Sequence, residues 1–180
     1  MPRNKERLVK ILQKMQSDGK TIIESSQELD DSQRSREPSP GAWSIDEILW
    51  HVYVSERMSI QYMTKKMAYP DQLLPAGFSA RKNSMLLKTF LRSPAKAKVP
   101  NSIADIPLEF MGDELIAEWK ALRDKLATII DNTEIDILNR LVYRHPVVGR
   151  MDMKGALTFF YEHQRRHGKQ IARAIQSVAK

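Results

Sequence analysis

Cysteine is absent from all 180 residues, which removes disulfides, thiolate metal sites and cysteine nucleophiles together. No stretch approaches the roughly 18 to 20 apolar residues that a membrane span needs. The opening Met1-Pro-Arg-Asn-Lys-Glu-Arg7 carries charge with no apolar signal core behind it, so export is not expected and a cytoplasmic setting is. No segment of consequence alternates with period two and no unit repeats at solenoid spacing, which sets aside sheet and repeat folds. Acid is missing from two stretches, residues 81–98 and 163–180, although both are rich in lysine and arginine. What is present is an ordinary globular balance: 29 basic against 22 acidic residues, a net charge of +7, 28% charged and 42% hydrophobic side chains. The length suits one domain over 1–180 with a sizeable core, and two full domains would be cramped.

Helical periodicity organises the chain. From about Lys5 to Leu29, Leu8, Leu12, Met15, Ile22 and Leu29 fall on one stripe with Gly19 as a small member, predicting an amphipathic helix. Residues 30–41, polar and closed by Pro38, Pro40 and Gly41, read as a loop. Ser44 followed by Glu47 forms a capping box, with Trp43 placed to staple onto Ile48, so a second helix starts there and runs to about Ala68. Five prolines between residues 70 and 109 leave room for one short helix near Lys82 to Leu91. In an all-helical chain so long a connection is best explained as a crossover that lets helices 2 and 3 lie parallel. Leu115, Trp119, Leu122, Leu126 and Ile129 define a third helix over about Gly112 to Ile130. A turn is expected around Pro146 and Gly149; Asp152 then caps a last helix to about Val178, whose inner face reads Ala156, Phe160, His163, His167, Ile171, Ala174 and Val178. The architecture expected is all-α, a four-helix bundle with one long crossover.

Three of the four histidines fall on inner faces. His163 and His167 are one helical turn apart and can converge on one ion, and His51 on a facing helix supplies a third ligand. Buried imidazoles in a core need partners, and one divalent cation would satisfy all three. Imidazole suits zinc, nickel and iron alike, with zinc the first expectation. Against this stands the plainer reading of hydrogen-bonded core histidines. His163-Gln-Arg-Arg-His167 resembles the zinc-protease signature, but glutamine at 164 cannot act as its general base, so that reading is rejected. Glu162 points about 100° away from His163 and is expected to be a solvated surface carboxylate. Tyr143, His145 and Tyr161 are candidate supporting groups or acids, more often structural in such places. The acid-free basic stretches, Arg81 to Lys98 and Arg165 to Lys180, read first as solvated surface and next as a funnel toward an anionic small substrate. Nucleic-acid binding is not expected, because the first stretch has one aromatic, Phe90, and no binding motif.

Trp43-Ser-Ile-Asp-Glu-Ile-Leu-Trp-His51, the later His-Pro-Val-Val-Gly149 and Phe160-Tyr-Glu-His-Gln-Arg-Arg-His167-Gly-Lys-Gln-Ile171 resemble the DinB-like (YfiT-like) superfamily over nearly the whole chain. The resemblance implies a four-helix bundle, often a homodimer, with a divalent metal on three histidines, here His51, His163 and His167. It further implies a metal-dependent transferase joining a low-molecular-weight thiol to a small electrophile, the ion lowering the thiol pKa and the basic crossover holding its carboxylates. Two alternatives stay open: a metal-dependent hydrolase, with Glu162 the nearest acid in sequence and no well-placed base, and a non-catalytic bundle that binds a small ligand or partner.

Overall fold

The computed structural model describes residues 3–95 and 106–178. Lys96, Lys98, Pro100 and Lys180, counted above among basic residues and prolines, lie outside the described residues. In chain order the elements are α1 (Arg3–Gln27), α2 (Asp31–Ser35), α3 (Ile45–Met67), a single 3-10 turn (Pro70–Gln72), α4 (Phe78–Arg92), α5 (Gly112–Asn132), α6 (Ile135–Leu138), β1 (Tyr143–His145), β2 (Gly149–Met151) and α7 (Met153–Val178).

The long helices are those expected, and α3 starts on its capping box. The Glu47 N–H donates to Ser44 Oγ at 3.2 Å while the Ser44 N–H donates to the Glu47 carboxylate at 2.8 Å. Three local expectations need correction. Residues 30–41 are not all loop: Asp30 and Gln33 build a second capping box, at 2.8 and 3.0 Å, that starts α2. The crossover helix begins at Phe78, one turn earlier than expected, because its first turn exposes Phe78, Ser79 and Arg81 and buries only Ala80, too little apolar period to read. The turn after Val142 is framed by a short antiparallel ladder, Tyr143↔Met151 to His145↔Gly149. Strands of three residues are too short for alternation to register, and Gly149 takes φ +91°, a left-handed conformation suited to glycine.

α1 and α3 each pack against both α5 and α7. Lys5 bonds the Asp131 carbonyl and Gln27 bonds Asp113, so α1 and α5 run antiparallel. Tyr53 reaches Glu118 while Glu56 reaches Trp119 and Arg123, so α3 and α5 run parallel, as the crossover requires. His51 faces His163 and Ser59 faces Tyr143 just before α7, which makes α3 and α7 antiparallel.

The apolar interior is split in two. One cluster gathers Leu12, Met15, Ile60, Leu126 and Phe160, and the other Ile48, Val52, Trp119 and Ile171. Between them lies a polar layer centred on Arg123, whose guanidinium donates to Glu56 at 2.9 and 3.2 Å, to the Met15 carbonyl at 2.8 Å and to Gln164 Oε1 at 2.5 Å. The Gln164 amide donates to the same Met15 carbonyl at 3.1 Å, and the Trp119 N–H donates to Glu56 at 2.8 Å. One buried side chain thus ties α1, α3 and α7 to α5. Gly19 belongs to this layer rather than to an apolar stripe, since a Cβ there would overlap Arg123 Nη1.

Candidate metal centre

The antiparallel register of α3 and α7 brings His51 opposite His163 and His167. His51 Nε2 and His163 Nε2 are 3.2 Å apart, and ligand-capable nitrogens of all three histidines lie within 4.8 Å of one another. Two imidazole nitrogens on one tetrahedral zinc, each at 2.0 to 2.1 Å, would stand about 3.3 Å apart, so the His51–His163 spacing already matches a shared ion. The third ring's nitrogen lies no more than 4.8 Å from the other two. A single His–His hydrogen bond can engage one pair only, whereas one cation accepts lone pairs from all three rings.

Burial sets the protonation of the cluster. His51 is 8% exposed; His163 and His167 are half-buried. Burial, with His167 alongside, pushes His51 down to about 3 from 6.5. Burial also takes His167 down to about 4 and, with the neighbouring histidines, holds His163 well below the usual range. All three are therefore neutral at pH 7, the form in which imidazole binds a metal. His167 Nδ1 donates to Gln170 Oε1 at 3.0 Å, which selects the tautomer that leaves Nε2 free. Two aromatic rings shelter the cluster: Trp43 lies 5.1 Å from His51 and Phe159 lies 5.2 Å from His163, centroid to centroid. Trp43 also packs with the cluster containing Ile48, as a staple would.

Glu162 is not a solvated surface carboxylate. It is 3% exposed and held in a two-point pair by Arg92 of the crossover helix, at 2.5 and 2.9 Å, with Arg165 at 3.4 Å. The 100° step away from His163 points it at α4, an element whose position periodicity could not supply. The other candidates stand outside the triad. The Tyr143 hydroxyl shares a 3.1 Å hydrogen bond with Ser59, and burial pushes it up to about 12. His145 packs its ring 4.7 Å from Phe159 while its Nδ1 accepts the Val147 N–H at 3.2 Å. Tyr161 stacks under Arg165.

Two cations of the basic stretches that pack between α4 and α7 are engaged within the protein. Arg92 is neutralised by Glu162, and Arg166 is spent on the carbonyls of Leu91, Ser93 and Ala95 at the end of α4. Gln164, the residue that spoils the protease signature, is instead a member of the polar layer. Sequence reasoning passed over Gln170, although its position three residues after His167 placed it on the same helix face.

Parallel α3 and α5, a long crossover, and three neutral histidines facing one another between α3 and α7 define a helical bundle with a site that could hold a metal ion. Residues 21–171 match the family model described as the DinB superfamily, and the chain belongs to that superfamily. No curated protein matches the sequence. Among solved structures the chain is similar to YfiT from Bacillus subtilis, with a TM-score of 0.58 and 15% identity over 98% of this chain and 88% of that one. That structure is described as a probable metal-dependent hydrolase with an unusual four-helix bundle topology. At this identity the likeness establishes the fold.

Proposed function

We propose that the protein is a divalent-metal-dependent enzyme acting on a small molecule, with His51, His163 and His167 holding the ion. The observation that carries this is the convergence of three neutral imidazoles, two of them 3.2 Å apart at Nε2. When bound, the ion would supply Lewis acidity that lowers the pKa of a thiol or a water molecule drawn to it. The chain's own residues do the rest. Gln170 fixes the His167 tautomer, Trp43 and Phe159 exclude water from one side, and Glu162 with Arg92 braces the outer face of α7 against the crossover helix.

Of the two reactions, transfer of a low-molecular-weight thiol to an electrophile is the reading we favour. Its support is the state of Glu162, the carboxylate next to the triad in sequence. A carboxylate engaged at both oxygens by Arg92 is a poor proton acceptor, as a water-activating base must be. A thiol is acidic enough to ionise with help from the ion alone. Hydrolysis is the second reading, favoured by what is said of the similar YfiT structure. Zinc fits the spacing; nickel and iron use the same ligands.

The test starts with elemental analysis of untagged protein, prepared without chelator, for wild type and for His51→Ala, His163→Ala and His167→Ala. Near-stoichiometric metal in wild type, lost in each variant, supports the site, and no uptake even after zinc or nickel is supplied refutes it. Loaded protein is then assayed with an electrophile in the presence and absence of small thiols. A thiol requirement supports transfer; turnover in water alone moves the assignment to a hydrolase.

A further inference from the structure

The charge of the acid-free stretch that begins at Arg81 goes somewhere other than the histidines. A cavity of about 480 Å³ opens between the first turns of α1, the middle of α4 and the start of α7, and it receives Arg7, Arg81, Lys88 and Lys154. None of the histidines lines it. Arg81, Ser84 and Lys88 stand on successive turns of α4, and Lys154 and Thr158 on successive turns of α7, so the Arg81 and Lys88 cations of α4 face Lys154 across the opening. Among the described residues none of these four cations has an ion pair or a hydrogen bond to a protein acceptor, whereas Arg92, Arg123 and Arg166 all do. The one acid at the rim, Asp152, turns Oδ1 to the Gly155 N–H at 2.7 Å and so serves the start of α7. Three of the cations are exposed and Lys88 is half-buried, above an apolar floor that includes the buried side chains of Leu8 and Leu138.

Four like charges converging on one concave surface repel one another unless an anion joins them. We infer that this cavity is a second site, separate from the metal centre, that binds a small molecule through a phosphate group. A planar carboxylate presents two oxygens to one guanidinium fork. A phosphate dianion presents three terminal oxygens and can meet cations from α1, α4 and α7 at once, with the Ser84 hydroxyl as a neutral donor; the Thr158 hydroxyl already donates to the Lys154 carbonyl at 2.8 Å. The cavity volume falls within the range of small-molecule pockets and leaves room for an organic portion over the apolar floor. The inference does not depend on the metal reading.

The test uses the full chain, isotopically labelled for amide NMR, titrated at constant ionic strength with inorganic phosphate, pyrophosphate and acetate. Saturable binding of phosphate or pyrophosphate is expected, with shifts centred on Ser84 and Thr158, and weaker binding of acetate. Arg81→Gln with Lys154→Gln should weaken it by about ten-fold or more. Lys65→Gln with Lys66→Gln, which removes equal charge from the exposed end of α3, should leave it within about two-fold. Absence of saturable binding, an equal loss in both double variants, shifts centred on the histidines, or acetate binding as tight as phosphate would each overturn the inference.

Discussion

Replacing Arg123 by methionine removes a side chain of α5 that bonds α1, α3 and α7 while keeping most of its volume. Arg123 is 5% exposed and Glu56 is 1% exposed, so the substitution leaves the Glu56 carboxylate in the interior with the Trp119 N–H at 2.8 Å as its remaining partner. Breaking a buried pair from one side in this way costs about 3–5 kcal/mol, because the surviving charge is uncompensated. The Met15 carbonyl still accepts from Gln164, but Gln164 Oε1 loses its donor, adding about 1–3 kcal/mol. Against a typical domain stability of about 5–15 kcal/mol this is a large fraction. At about 2–4 °C per kcal/mol for a chain of this size, the pair term alone lowers Tm by about 6–20 °C. Thermal and urea unfolding, followed by circular dichroism, measure it. The same reasoning predicts recovery: Glu56→Leu in the Arg123→Met background removes the orphaned charge, and the double variant should be more stable than Arg123→Met alone by about 2 kcal/mol or more. The reasoning is refuted if Arg123→Met lies within about 1 kcal/mol of wild type, or if the second substitution destabilises further.

Glu162→Gln should leave metal content unchanged and lower Tm only modestly, since Arg92 is half exposed and water screens its pair; loss of all turnover with metal retained would instead reveal Glu162 as a base. Gln170→Leu frees the His167 tautomer and should weaken metal affinity about 10- to 100-fold in chelator competition, without the full loss expected of His167→Ala. For metal-free protein, burial holds His51 near 3 and both His145 and His167 near 4, all below the unfolded value of 6.5. Between pH 6.5 and 4 the unfolded chain therefore binds more protons, so stability should fall as pH falls through that window and stay flat just above it. The loss is on the order of 1–2 kcal/mol per group after allowing for solvent near the half-buried rings, read from urea midpoints against pH; a flat profile would sink the assignment of buried neutral histidines.

Sequence by itself determined the four long helices, because each carries an apolar stripe several turns long that only one periodicity explains, and it determined the start of α3, because capping is a contact between residues three apart. It also singled out His51, His163 and His167, since a polar side chain inside an apolar stripe is conspicuous without any neighbour in view. What it could not supply was every feature set by a partner distant in the chain. Glu162 is buried because Arg92, 70 residues away, reaches it, and nothing in the periodicity of α7 says where α4 will lie. Gly19 and Gln164 looked like a gap-filler and a failed motif until Arg123 came to rest between them. The bundle's register, which puts His51 Nε2 3.2 Å from His163 Nε2, belongs to tertiary structure alone, because the relative slide of two helices is decided by how their surfaces pack together and by the polar layer that pins them.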